Sequence, residues 1–244
     1  MDAVTESLSP EARARVQALT EKHWALPAEH PLTALQSALL GQYRLLVLLG
    51  PRSSVGSQSF QLLLADKGGE LADGPLALGL YNSGPYPAFN WIELTRYDSQ
   101  LVIGNTRVDL LKKGLDLPFF AALSRLVPPG GHIMVEYDSP SQRATARVLT
   151  LGYPEACSPT GYLMFHVGCR SFKNWHIPEG GREGPRKLQG FKPWNEEIKR
   201  EKTGRLREEL ARFLTQDPNP QHGEWGDIAR RNAAAVAEAL DTES

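Results

Sequence analysis

The segment PEGGREGPRKLQGFKPW, residues 178 to 194, gathers the side chains best suited to hold an anion. Arg182, Arg186, Lys187 and Lys192 place four cations within eleven positions, and Lys173 and Trp175 come just before them. Guanidinium forks and ammonium donors at this density suit a phosphate, a carboxylate or a nucleotide tail. Gly180, Gly181, Gly184 and Gly190 add positive-φ freedom and close backbone approach. The segment therefore reads as a loop that can wrap a ligand, with Gln189 as a further contact. Glu179 and Glu183 temper the charge by pairing with arginines, and a solvated connector to the C-terminal helices is the competing reading.

Two other places carry groups that could move a proton. In YNSGPYPAFNWIEL, strand alternation puts Trp91 and Glu93 on one face and Ile92 and Leu94 on the other. A carboxylate on a covered face has its pKa raised and can act as a general base, and Asn82 at the head of the stretch is a candidate ligand contact. The apolar run HIMVEYD ends in Glu136 and Tyr137, and ligands gather at the carboxyl ends of strands where an open sheet changes topology. Glu93 and Tyr137 are thus the candidate catalytic residues. An ordinary solvent-facing position is the alternative for each.

Several chemistries lack their signatures. No metal site is expected, because the histidines show no ligand spacing: His132 and His166 read as strand residues, and His176 sits between Trp175 and Ile177. Cys157 and Cys169 form no Cys-x-x-Cys pair and suit a reduced compartment, with Cys169 read as a small buried hydrophobe. GPRSSVGS lacks the lysine and serine that give a phosphate loop its chemistry, and no Gly-x-Ser-x-Gly elbow occurs. With 27 basic and 28 acidic residues the formal net charge is −1, so no global field gathers nucleic acid or an anionic membrane. The N-terminus has neither a basic nor an apolar leader region and no run is long enough to span a bilayer, so a cytoplasmic protein is expected.

These residues need elements to position them. Ser9, Pro10 and Glu11 open a first helix with Ala12, Val16 and Leu19 on one side, and PLTALQSALLGQ predicts a second. YRLLVLLGPRSSVGSQSFQLLLAD then reads as two antiparallel strands, and GPLALGLYNSG and FNWIELTRYD as two more. DLPFFAALSRLV predicts a helix, GGHIMVEYD a strand, SPSQRATARVLTLGY a helix capped by Ser139 with Pro140 first, and TGYLMFHVGC a strand. Strand, helix, strand, helix, strand implies crossover connections and a partly parallel sheet. NEEIKREKTGRLREELARFL and EWGDIARRNAAAVAEAL form charged helices whose apolar stripes are expected to pack on the sheet, with a homodimer as the alternative. The fold class is α/β: a mixed sheet, an antiparallel meander followed by strand-helix-strand-helix-strand, in a domain of residues 1–194, with a C-terminal helical extension over 195–244.

This order of elements over residues 9 to 170 resembles the core of the Gcn5-related acyltransferase superfamily, LTLGYPEACSPTGYLMFHVG being similar to the end of that core. The resemblance implies an acyltransferase-like enzyme using acetyl-coenzyme A. The usual Gln/Arg-x-x-Gly-x-Gly/Ala turn that holds the coenzyme pyrophosphate is not seen in NTRVDLLKKGLDLPFF. SPTGYLMFHVGCRSFKNWHIPEGGREGPRKLQG and YNSGPYPAFNWIEL resemble the domain-of-unknown-function family 1122, over most of residues 30 to 195, which implies no assigned activity. LSRLVPPGGHIMVEYD resembles the late segment of S-adenosylmethionine-dependent methyltransferases, although Pro128 to Gly131 also serve simply to end a helix and start a strand. The leading expectation is an acyltransferase-like enzyme acting on a small anionic ligand through Lys173, Trp175, Arg182, Arg186, Lys187, Gln189, Lys192 and Asn82. A methyltransferase, or a non-catalytic ligand-binding or assembly protein, is the alternative.

Overall fold

A computed structural model of the chain describes residues 7–20, 39–52, 58–72, 77–83, 99–106, 116–137, 142–176 and 186–243. Its elements are α1 (Pro10–Thr20), β1 (Leu39–Leu40), β2 (Tyr43–Arg52), β3 (Gln58–Ala65), β4 (Ala77–Ser83), β5 (Ser99–Thr106), α2 (Asp116–Ser124) and β6 (His132–Glu136). Then come α3 (Arg143–Thr150), a 3₁₀ turn (Glu155–Cys157), α4 (Pro159–His166), β7 (Ser171–His176), β8 (Arg186–Phe191), α5 (Glu196–Thr215), a second 3₁₀ turn (Pro220–His222) and α6 (Gly223–Thr242).

The strands form one mixed sheet in the order β1-β2-β3-β4-β5-β6-β8-β7. Among the described strands only β5 and β6 run parallel; every other neighbouring pair is antiparallel. The expected α/β class and mixed sheet are what the chain forms. The parallel-rich sheet that a methyltransferase reading requires is not what these strands build.

β2 and β3 are apolar along their length because both of their faces are covered. Leu45, Val47, Leu62 and Leu64 point into the main core with Phe119, Phe120, Ile133, Val135 and Leu188. Leu46, Leu48, Leu63 and Ala65 point the other way, under Ala12 and Val16 of α1. Ser9 caps that helix as its sequence predicts, its Oγ accepting from Ala12 N–H at 3.1 Å.

Three expectations are corrected. Leu39 and Leu40 belong to a short strand, not to the end of a helix; residues 31–38 of that stretch lie outside the described residues. TGYLMFHVGC is helix α4 where a strand is expected: Ser158 caps it, accepting from Gly161 N–H, and Pro159 takes the first turn. The end of the supposed loop, Arg186 to Phe191, is strand β8, inserted between β6 and β7. Residues 91–98, expected as a strand, lie outside the described residues, as do Ser139 and Pro140; the strand that pairs with β4 is Ser99–Thr106.

β8 is packed so closely that Gly190 has a steric reason. A β-carbon there would sit 2.8 Å from Met164 Sδ and 3.0 Å from Cys169 Sγ. Its backbone is ordinary strand, so the expected positive φ is not its role. Gly180, Gly181 and Gly184 lie outside the described residues.

α5 and α6 pack mainly against α3 and α4, and α5 also touches the sheet at β7. Leu206, Leu210, Phe213, Ala229, Ala233, Val236 and Leu240 close over Val148, Ala156, Cys157 and Phe165. The small alanines of α6 admit this close approach, and Phe172 of β7 lies at the border. Arg170 locks the layers together: its buried guanidinium donates to the carbonyls of Phe165 and Cys169, both at 2.9 Å, and to both carboxylate oxygens of Glu243 at 2.7 and 3.0 Å. It also lies 4.5 Å from the centre of the Phe165 ring. Among the described residues no helix is long and apolar enough to cross a membrane.

Arg170→Ala leaves two buried carbonyls without their donor and a carboxylate without its cation, and should lower unfolding free energy by about 3 kcal/mol. Glu243→Gln keeps a hydrogen-bonding partner at a half-exposed position and should cost about 1 kcal/mol or less. Urea titration of the two variants checks the ranking; equal midpoints would contradict the clamp.

Candidate functional site

Strand alternation decides which predicted residues meet. On β6, His132, Met134 and Glu136 share one face, while Ile133 and Val135 enter the main core on the other. The register pairs Met134 with Gln189 and Glu136 with Lys187. Across the next ladder Gln189 pairs with Lys173 and Lys187 with Trp175. Two rows three strands wide result, Met134–Gln189–Lys173 and Glu136–Lys187–Trp175, on one face.

The contacts within this patch are specific. Lys187 Nζ lies 3.2 Å from Glu136 Oε1. Lys173 Nζ sits 3.8 Å from the centre of the Trp175 ring, a cation–π contact. The Trp175 indole N–H donates to Gln189 Oε1 at 2.5 Å. Because an indole nitrogen only donates, that bond fixes the amide orientation and assigns the other end as Nε2. Gln189 is 0 % exposed, and among the described residues its Nε2 has no hydrogen-bond acceptor. A buried amide donor left without a partner costs about 1–3 kcal/mol, which is the reason to regard it as a group kept for a ligand oxygen.

Tyr137 lies on the opposite face, in the main core, and its hydroxyl donates to Asn174 Oδ1. Its backbone N–H donates to Arg186 carbonyl at 3.0 Å, so β8 keeps company with the chain one residue past the end of β6. Asn174 is a contact that reading the sequence missed. Once β7 is recognised as a strand, alternation separates Asn174 from Lys173 and Trp175 and places it on the side of Tyr137.

Lys192 has a different duty. Its ammonium donates to the carbonyls of Ser124 and Val127, both at 2.7 Å, closing the C-terminal end of α2. Burial pulls its pKa below the ordinary lysine value. Asn82 lies on β4 opposite Gln100. Glu93 and Arg182 lie outside the described residues. Cys169 is buried with its thiol pushed up to about 12 by desolvation, which suits packing and not nucleophilic attack. His166 belongs to the end of α4 and not to a strand.

The backbone beside the patch is irregular in an informative way. β5 and β6 pair from Gln100↔His132 to Ile103↔Val135 and no further, although β5 continues to Thr106. Opposite β4, the register slips between Ile103 and Thr106, which marks an extra residue on β5. Bulges of this kind re-aim a strand and recur beside active sites. Glu136 and Tyr137 follow directly after Val135, the last residue of β6 that pairs with β5. The described residues contain no group of three or more His, Cys, Asp or Glu able to hold a metal ion.

Comparison with known proteins fits this architecture. The chain belongs to the family described as protein of unknown function, DUF1122, whose model matches residues 65–217. It is similar to a solved structure, a protein of unknown function from Aquifex aeolicus VF5, at 22% identity and a TM-score of 0.60, over 86% of this chain and 96% of that one. At this identity the likeness shows a shared fold. No curated protein matches.

His132 gives the patch a measurable signature. It is 0 % exposed, 5.6 Å from the Phe191 ring centre, and desolvation lowers its pKa from 6.5 to about 3. Below pH 6.5 the unfolded chain binds a proton that the folded chain refuses, so stability present above that pH is lost as pH falls towards about 3. The loss should approach about 1.4 kcal/mol per pH unit. In denaturant titrations His132→Leu should show a shallower acid limb than the parent protein; parallel limbs would remove His132 from this account.

Proposed function

We propose that this member of the family is an acyl-transferring enzyme of the Gcn5-related type, acting on a small anionic acceptor, with its site at the carboxyl ends of β5 and β6. The observation that carries the reading is the one parallel pair among the described strands, whose pairing stops at Ile103↔Val135 beside a bulge on β5. Strands that part at their carboxyl ends open a place where a ligand can meet groups from both faces of the sheet. Tyr137 borders that place from one face, and Lys187 and Gln189 from the other.

The acyl donor is a thioester such as acetyl-coenzyme A, taken as a substrate. An acceptor amine or hydroxyl attacks the thioester carbonyl; the new bond forms at carbon, the C–S bond breaks, and the thiolate leaves. The proton lost by the acceptor goes to a base, the role assigned to Glu93. Tyr137 supplies a proton to the thiolate, and Asn174, which accepts its hydroxyl in the resting protein, sets the direction of that hydroxyl. Gln189 Nε2 and Lys187 bind an oxygen of the acceptor, with the Lys187 ammonium shared between that oxygen and Glu136.

The decisive experiment is a thermal-shift comparison with acetyl-coenzyme A, coenzyme A, S-adenosylmethionine and S-adenosylhomocysteine. At a hundredfold excess over Kd a ligand of the native state adds about 2.7 kcal/mol, which for a chain of this size raises Tm by about 5–10 °C. The coenzyme A pair should produce that shift. Tyr137→Phe should keep the shift while lowering transfer to a model amine at least tenfold, and Gln189→Leu should raise acceptor KM. A shift with the S-adenosyl pair alone, or with none of the four, would overturn the reading.

A further inference from the structure

A cavity lined by no residue of the sheet patch lies where the turn after α3 meets the adjoining ends of α5 and α6. It encloses about 470 Å³ and is bordered by Tyr153, Glu209, Arg212, Phe213, His222 and Arg230. A neighbouring hollow of about 230 Å³ shares Tyr153, Asn219 and Arg230 with it. Together they have the dimensions of a small-molecule site.

The donors lining it are arranged in advance. Gln221 N–H donates to Asn219 Oδ1 at 3.0 Å, which turns the amide so that Nδ2 faces His222 Nε2 at 3.1 Å. Nε2 is then an acceptor, so Nδ1 carries the imidazole proton and donates to Tyr153 Oη at 2.6 Å. The oxygen of Tyr153 is occupied by that bond, and its own O–H is left as a donor to the cavity. The seat is tight: a β-carbon at Gly226 would lie 3.0 Å from Tyr153 Oη and 3.3 Å from His222 Cβ. Tyr153 is further held edge-on to Phe213, with ring centres 5.2 Å apart.

The cations complete the pattern. Arg230 donates to Gln216 carbonyl and lies 5.4 Å from the Phe213 ring centre. Arg212 donates its Nε to Glu208 carbonyl at 3.4 Å. Among the described residues neither guanidinium makes an ion pair, whereas Arg170, Arg205 and Arg207 each do. Burial and neighbouring Glu155 raise the pKa of Glu209, while Arg212 pulls it the other way, so this carboxyl is the group an incoming oxyanion competes with for that cation. Asp217 is the other acid on the rim of the larger hollow, and Asp227 lines the smaller one.

We infer that this cavity is a binding site for a small molecule carrying a carboxylate or phosphate group, whose oxyanion pairs with Arg212 and Arg230 and accepts a hydrogen bond from Tyr153. Planar guanidinium forks and a phenol donor match the oxygens of such a group. The site is independent of the acyl-transfer reading, since no residue of the sheet patch contributes to it.

The test follows arginine Nε–Hε and glycine amide NMR signals of the full chain while inorganic phosphate or succinate is added at constant ionic strength. Saturable shifts at Arg212, Arg230, Gly223 and Gly226 are expected with at least one probe, and which probe saturates identifies the oxyanion. Arg230→Gln should weaken binding at least fivefold and Tyr153→Phe about threefold, while Arg200→Gln on the exposed face of α5 leaves it unchanged. If Arg230→Gln fails to fold, Arg212→Gln serves in its place, because among the described residues its side chain hydrogen-bonds to a backbone carbonyl of its own helix. Shifts that grow linearly without saturation, or that are equal at Arg200 and Arg205, would overturn the site, as would affinity unchanged in the arginine and Tyr153 variants.

Discussion

Four residue pairs, Gln100↔His132 to Ile103↔Val135, join the two halves of this sheet, and most of the architecture follows from their being parallel. Two strands that run the same way cannot be closed by a hairpin, so the chain must cross the sheet, and α2 lies on that crossing. Phe119 and Phe120 of α2 then fill the core beneath both halves. To the β1 side everything is meander; to the β7 side, β8 must slot between β6 and β7 because β6 still has an open edge. The same junction determines which carboxyl ends lie together, and thus where Glu136 and Tyr137 emerge.

The polar patch on β6, β8 and β7 is an exception to the rule that polar groups on a buried face are fully satisfied. An ordinary core would place an aliphatic residue at Gln189, as it does at Leu188. Trp175 rescues one end of the Gln189 amide and holds Lys173 over its ring, so a single aromatic side chain organises two neighbours. The other end of that amide is a donor with no acceptor among the described residues, a cost small beside the burial around it. Local inconsistency of this kind, set in an otherwise consistent fold, is where function is expected.

Much of the architecture is legible in the sequence because its signals are local. Ser9-Pro10, the apolar runs of β2 and β3 and the striped helices α5 and α6 each state their own conformation. The failures have physical causes. YLMFHV is apolar on every side because α4 is sandwiched, with Met164 in one cluster and Phe165 in another, so its period is erased and it passes for a strand. Ser158-Pro159 carries the same start signal that Ser9-Pro10 does, and weighing it would have identified the helix. In RKLQGF the glycine and the charges imitate a loop, whereas Gly190 is small to admit sulphur atoms and Lys187 lies on the polar face of a strand. Lys173, Trp175, Lys187 and Gln189 were therefore found by type, while their grouping needed a register that no local signal provides.

Met164 and Phe165, adjacent on α4, give that helix a mechanical character. Met164 rests on Gly190 beneath the polar patch, and Phe165 rests among α5 and α6 and under the Arg170 guanidinium. With both sides engaged, α4 has no free direction in which to slide. α4 is thus a single spacer between the sheet on one side and the helical pair on the other.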